Sequence, residues 1–237
     1  MALDKITAGD TKGIYWIGGS KGGVGKSMLA IAALDYLLSK GEKVLLVECD
    51  TSNPDVWKMY HQEVDDTELI KLDEADGWVD FVNVCQDNPR QIIVVNTAAR
   101  NNDAVTQYGA TLNSSIEELG RPVVALWVIN RQRDSMELLR DFVEVIPRAS
   151  LHVVRNGHFG EERKFELYND SPIRRDLVEG RGGMSLLLPD LADRVADDLY
   201  VKRLSIAKGL KALPLGNRAE LGRWRSETRK VLSQVLG

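Results

Sequence analysis

Six short, predominantly apolar runs punctuate the chain, at 13–17, 44–47, 91–95, 123–129, 151–154 and 184–188. Unbroken apolar runs, as opposed to alternating ones, predict strands buried on both faces, as in a parallel sheet covered by helices. Between them the apolar positions recur every three or four residues, the spacing of an amphipathic helix. Leu29, Ala30, Ala33, Leu34, Leu37 and Leu38 follow Lys26 in this way and stop at Lys40-Gly41, a basic last turn with a glycine cap. Strand, helix and strand then form a βαβ unit, right-handed by rule. The alternation predicts the α/β class: a three-layer sandwich with a mostly parallel central sheet, built as one domain over residues 1–237.

The remaining periodicities are less regular. Residues 56–86 show helical spacing around Leu69, Leu72, Trp78, Phe81 and Val82. A helix from Asn101-Asn102-Asp103 runs through Ile116 and Leu119 to Gly120, and Asp134 is placed to cap a helix carrying Met136, Leu139, Phe142 and Ile146. Residues 160–180, broken by Pro172 and Gly180, read as a peripheral excursion with a short helix. Leu191, Val195, Leu199 and Leu204 share a helical face. Asn217 with Glu220 three residues on reads as a capping box opening a last helix to about 236, with Leu221, Trp224, Val231, Leu232, Val235 and Leu236 as its stripe. Residues 1–12 read as a short polar leader.

Composition changes this picture little: 43% hydrophobic and 28% charged residues are ordinary for a globular chain. No apolar run reaches membrane-spanning length and no signal-peptide core precedes the first strand, so a cytoplasmic location is expected. Cys49 and Cys85 then read as reduced thiols, and three scattered histidines supply no metal-ligand spacing. Charge is uneven. Residues 201–237 hold nine Lys/Arg against two Glu, although the whole chain is at -4. Such a basic segment suits nucleic acid or anionic lipid, and a solvated terminal helix explains the count as well.

The chemistry sits in Gly18-Gly19-Ser20-Lys21-Gly22-Gly23-Val24-Gly25-Lys26-Ser27, between the first strand and its helix. Glycines let backbone N–H groups converge on phosphate oxygens, and a helix N-terminus adds partial positive charge. Gly22, Gly23, Val24, Gly25, Lys26, Ser27 and Met28 are the expected nucleotide-binding run, with Lys26 reaching the β/γ phosphates and the Ser27 hydroxyl ligating Mg²⁺. Ser20 occupies the position where the ordinary phosphate loop has its first glycine, so that pattern fails and Lys-Gly-Gly-x-Gly-Lys-Ser remains.

This segment resembles the deviant P-loop (deviant Walker A motif) of the ParA/MinD-like ATPases. The resemblance extends over the strand–helix alternation to about residue 210, and it implies ATP and Mg²⁺ as cofactors. It implies that Lys21 reaches the phosphates bound by the partner in a nucleotide-sandwich homodimer. Asp50, at the end of Glu48-Cys49-Asp50, matches the carboxylate near Mg²⁺ and the attacking water, and Glu48 stands where the family has another Asp. Asn96 stands at the Walker B position, where the family usually has a carboxylate. An amide there bonds a metal-bound water but brings no charge, which implies slow hydrolysis. Asn156 is a candidate base contact, or simply half of an Asn-Gly turn, and His158 reads as a surface loop residue.

The implied function is an ATP-binding, ATP-dependent dimerising ParA-like ATPase that positions DNA or an associated cargo, of the plasmid partition or stability type. It carries Lys21, Lys26 and Asp50 as catalytic residues and Ser27, Asp50 and Asn96 around the metal. Nonspecific DNA and an activating or cargo protein are the expected partners. Two alternatives stay open: a MinD-like ATPase cycling on a membrane through its last helix, and a nucleotide-binding switch with negligible hydrolysis.

Overall fold

Each of the six apolar runs forms a strand in the computed structural model, which describes residues 11–236 apart from Lys21 and Arg100. In chain order the elements begin β1 (Ile14–Gly19), α1 (Lys26–Ser39), β2 (Val44–Glu48), α2 (Asp55–Tyr60), β3 (Asp66–Leu69), α3 (Ala75–Asp87) and β4 (Ile92–Asn96). They continue α4 (Asn101–Tyr108), α5 (Ala110–Leu119), β5 (Val123–Ile129), α6 (Asp134–Val145), β6 (Ser150–Asn156), α7 (Glu166–Asn169) and α8 (Pro172–Arg175). Last come β7 (Ser185–Leu188), α9 (Asp193–Val201), α10 (Ile206–Ala212) and α11 (Leu215–Leu232).

The sheet has seven strands in the order β3-β2-β4-β1-β5-β6-β7, and every neighbouring pair is parallel. Strand geometry turns successive side chains to opposite faces, so each apolar run feeds two cores. Tyr15, Ile17, Val44 and Leu46 join one core with α1, α2 and α9 to α11. Ile14, Trp16, Leu45 and Val47 join the other, under α3 to α6 and residues 165–177. Helices on both faces of a parallel sheet make the expected three layers. The turn at Lys40-Gly41 closes α1 as read: Gly41 has φ +74°, and the Glu42 and Gly41 N–H groups donate to Leu37 and Leu38 carbonyls.

Four details correct the sequence reading. The 56–86 stretch is not one helical segment: α2 and α3 flank β3, an edge strand of Asp66, Thr67, Glu68 and Leu69. An edge strand needs no apolar face, and its carboxylates discourage pairing with another chain. The helix from Asn101 breaks at Gly109 into α4 and α5. Arg133 holds the N-cap position of α6, which leaves Asp134 in its first turn, where a carboxylate suits the helix dipole. The capping box at Asn217 does not form. Pro214 takes the N-cap position of α11, three residues before Asn217; the Asn217 amide donates to Asp198 at 2.6 Å, and Glu220 takes Arg223. Most of the polar leader lies outside the described residues.

The apolar stripe of the last helix is used internally. Leu221, Trp224, Leu232 and Leu236 are buried, and the Trp224 indole N–H donates to the Pro189 carbonyl at 2.8 Å. Membrane contact through this stripe would require α11 to undock from the core it packs on. The cations are also largely spoken for: Lys202, Lys208, Arg223, Arg225 and Arg229 each pair with a carboxylate.

Candidate functional site

Parallel strands deliver their carboxyl ends to one edge of the sheet, and ligands collect there. The C-terminal ends of β2, β4 and β1 lie side by side in that order. After β1 comes the glycine loop, after β2 Asp50, after β4 Thr97. A cavity of about 240 Å³ is lined by residues 22–28, Asp50, Thr97, Ala99 and Tyr200. The structure thus brings together the expected nucleotide-binding run and Asp50. Lys21 lies outside the described residues.

The loop is shaped by its backbone. Gly25 sits at the N-cap of α1 with φ +107°, and no side chain caps the helix. A helix N-terminus begun by a glycine suits an anion. A Cβ on residue 25 would meet Asn156 Nδ2 at 2.3 Å. Gly25→Ala combines this clash with the left-handed strain of about 1–2 kcal/mol. Its expected outcome is loss of nucleotide binding by fluorescence titration and a lower urea midpoint. Asn156→Gly in the same chain relieves the clash but not the strain, so recovery is only partial.

Asn156 itself is buried beneath the loop. Its Nδ2 donates to the Val24 carbonyl at 3.0 Å and its Oδ1 accepts from the His158 N–H at 3.0 Å. Both ends of the amide are committed, one bracing the loop and the other forming the Asn-Gly turn, and Asn156 is not among the cavity-lining residues. His158 is half exposed, 3.4 Å from Asp190 and 3.6 Å from Asp193, as suits a surface loop.

Ser20 acquires a reason. Its hydroxyl is buried and bonds that of Ser135 on α6 at 2.8 Å, and Ser135 donates to Asn130 at 2.8 Å. Asn102 on α4 donates to the Ser20 carbonyl at 2.5 Å. The loop entrance is thereby tied to α4 through its backbone and to α6 through the Ser20 hydroxyl, the one bond that a glycine could not make. Only the departure from the ordinary pattern hinted at this; Asn102, Ser135 and the cavity-lining Tyr200 carried no sequence signal. The Tyr200 hydroxyl is pushed well above its usual range, mainly by burial and then by Asp55 and Glu48.

Electrostatics concentrate on Lys26 and Glu48. The Lys26 residue is only 7% exposed, and burial lowers its ammonium to about 8, opposed by Asp50. A buried cation facing a cavity is poised for an anion. Glu48 is fully buried, and burial raises its carboxyl to about 7 against three opposing hydrogen bonds. Two of these are short: the Asp50 N–H and Asn96 Nδ2 each donate to Oε1 at 2.9 Å, whereas the Trp57 N–H reaches Oε2 at 3.4 Å. Asn96 is 1% exposed and its Oδ1 has no hydrogen-bond partner among the described residues.

These groups fit a nucleotide with Mg²⁺. That ion keeps several waters and is held by one or two protein groups plus phosphates, so no dedicated cluster of ligands is required. Ser27 and Asp50 line the cavity, and the orphaned Asn96 Oδ1 is an acceptor suited to a metal-bound water.

Comparison with known proteins agrees. The model of the CobQ/CobB/MinD/ParA nucleotide-binding domain matches residues 15–157. Protein MobD of Acidithiobacillus ferrooxidans is 62% identical over 225 residues, covering 95% of this chain and 98% of that protein. The MinC:MinD complex of Aquifex aeolicus is 14% identical with a TM-score of 0.55, covering 93% of this chain and 96% of that one. MinD of Pyrococcus horikoshii OT3 complexed with Mg-ADP is 16% identical with a TM-score of 0.53, covering 95% and 99%. At such identities the two structures show a common fold. With the domain match and the MobD likeness beside them, the chain belongs to the CobQ/CobB/MinD/ParA nucleotide-binding family.

Proposed function

We propose that the chain is a slow, ParA-like ATPase that dimerises with ATP and positions a DNA-associated cargo, with an activating or cargo protein as its partner. The observation that carries the reading is the uncapped N-terminus of α1 opening on a cavity that holds buried Lys26 with Asp50 opposite. Backbone N–H groups of residues 22–27 cradle phosphate oxygens and Lys26 neutralises the β/γ charge. Asp50 orients the attacking water and accepts its hydrogen bond. Mg²⁺, when bound through Ser27 and Asp50, neutralises developing charge on the phosphates. Lys21 completes the partner's site, so ATP holds the dimer together and hydrolysis releases it.

Binding is tested by titrating a fluorescent ATP analogue, and dimerisation by light scattering on a sizing column with ATP and Mg²⁺. The expected result is a dimer with ATP, a monomer with ADP, and a monomer throughout for Lys21→Ala. A wild-type monomer under all conditions overturns the dimer. For DNA, the exposed Arg203, Lys211 and Lys230 remain after pairing within the fold. ATP-dependent DNA affinity that weakens with salt supports the DNA cargo, and its absence removes it. The Asn96 amide favours a second reading, a switch with negligible turnover, and steady hydrolysis that Lys26→Ala abolishes rules it out.

A further inference from the structure

The end of β4 carries an amide where a charge is expected, and the end of β2 carries a buried carboxylate outside the lining of the phosphate cavity. They belong together. Glu48 and Asn96 are direct register partners on adjacent strands, and Asn96 Nδ2 donates to Glu48 Oε1 at 2.9 Å. Neighbouring strands lie about 4.8 Å apart, so the extra methylene of Glu over Asp helps the carboxylate span that gap. The pairing also explains the amide. A carboxylate at position 96 would set two like charges in contact in a buried place, whereas an amide donates to Glu48.

With Nδ2 turned to β2, the other branch of the amide, Oδ1, is buried without a partner among the described residues. Asn96 immediately precedes Thr97, and Glu48 stands two residues before Asp50, both of which line the phosphate cavity. A native fold rarely leaves a buried acceptor unsatisfied, and a ligand-borne water is the donor this position suits.

We propose that Glu48 and Asn96 work as one unit, a carboxylate-backed amide replacing the strand-end carboxylate. Asn96 Oδ1 accepts from a water of the nucleotide's magnesium ion, and Glu48, in its ionised form, supplies the negative charge from the neighbouring strand. The inference rests on the nucleotide-binding reading above. Donating to an anion polarises the amide and strengthens its oxygen as an acceptor. Glu48 is a positioning residue here: it holds the amide's orientation and acts through it. Because the charge stands one side chain further back, its pull on the ion is weaker than that of a direct carboxylate.

The test is a charge exchange read by metal affinity. Mn²⁺ binding to the protein–ADP complex is measured by electron paramagnetic resonance, alongside the affinity for fluorescent mant-ADP without metal. Glu48→Gln is expected to lower Mn²⁺ affinity by about tenfold or more, as outer-shell substitutions do. Metal-free mant-ADP affinity should stay within about threefold, because this unit touches the ion's water and not the phosphates. The double variant Glu48→Gln with Asn96→Asp moves the charge to β4 and is expected to restore Mn²⁺ affinity. A merely structural pair would change unfolding and leave the metal affinity alone. Unchanged Mn²⁺ affinity in Glu48→Gln, or no recovery in the double variant, overturns the proposal. If Glu48→Gln does not fold, Asn96→Ala decides: a similar loss of Mn²⁺ affinity supports the unit and an unchanged value overturns it. Wild-type protein that binds no mant-ADP overturns the nucleotide reading and this inference with it, whereas mant-ADP binding with unmoved Mn²⁺ affinities overturns this inference alone.

Discussion

Lys26→Ala lowers ATP affinity by about 100- to 1,000-fold, the equivalent of about 3–4 kcal/mol for losing a buried charge-assisted contact. The size follows from where the ammonium sits: it is buried at the start of α1 and lines the cavity with Asp50. Burial lowers its free-state pKa to about 8 against the opposing pull of Asp50, and bound phosphates raise it again by adding negative charge. Binding then takes up a proton. The sign follows: affinity is fully present below pH 8 and falls as pH rises above it, by about tenfold per unit until the bound-state pKa is reached. The nucleotide's own last phosphate proton has a pKa of about 6 and leaves this window clear. Fluorescence titrations at rising pH check the slope. Lys26→Arg, which stays charged, should bind more weakly than wild type but without the alkaline decline. A flat wild-type profile through this range would mean that Lys26 does not meet the phosphates.

Much of this site was legible because its chemistry is local in the chain. The glycine loop, Lys26 and Ser27 follow one another, and a strand-to-helix junction around such a loop has one chemical use. The buried strands were legible for a related reason: burial on both faces leaves unbroken apolar runs. β3 escaped notice because an edge strand of Asp66, Thr67, Glu68 and Leu69 buries almost nothing and so carries no pattern. The start of α11 was misplaced because Asn217 and Glu220 match a capping box, yet Pro214 already fixes the backbone, and tertiary partners take both side chains.

What the sequence hides is anything set by strand order. Glu48 and Asn96 are distant in the chain and become neighbours only because β4 lies beside β2. Read singly, Asn96 is a lost carboxylate and Glu48 a conservative replacement. Read in register, the two form a single buried hydrogen-bonded pair. Ser20 teaches the same lesson. As a deviation from a motif it only excludes, whereas its bond to Ser135 shows the loop entrance fastened to α6.

The basic terminal helix changes meaning most, and Asp35 is where the change can be measured. Asp35 faces α11 from the middle of α1, with its side chain 4% exposed. Arg225 binds it in a two-point fork, Nε and Nη2 each at 2.8 Å, and Arg229 Nε adds a third bond at 3.0 Å. Two of the arginines that suggested a DNA or lipid surface therefore fasten the terminal helix to the phosphate-binding helix. Asp35→Ala leaves both guanidiniums without their carboxylate. Breaking a buried pair in this way costs about 3–5 kcal/mol. The arginine side chains keep 26% and 31% exposure, so water offsets part of that loss and about 3 kcal/mol is expected. At about 2–4 °C per kcal/mol for a chain of this size, the Tm falls by about 6–12 °C. Urea unfolding checks the energy independently of heating. Replacing all three, Asp35→Leu with Arg225→Met and Arg229→Met, should recover most of the stability, since an apolar triad of similar volume needs no desolvated charge. Recovery would show that the triad serves packing between α1 and α11; an unchanged Tm in Asp35→Ala would show that it does not fasten the two helices. The same bonds bear on lipid: undocking α11 to free its apolar stripe for a membrane must break them and expose Leu221, Trp224 and Leu232. Sedimentation with anionic vesicles should therefore leave the wild-type protein in solution and carry down more of Asp35→Ala, in which the helix is held less firmly.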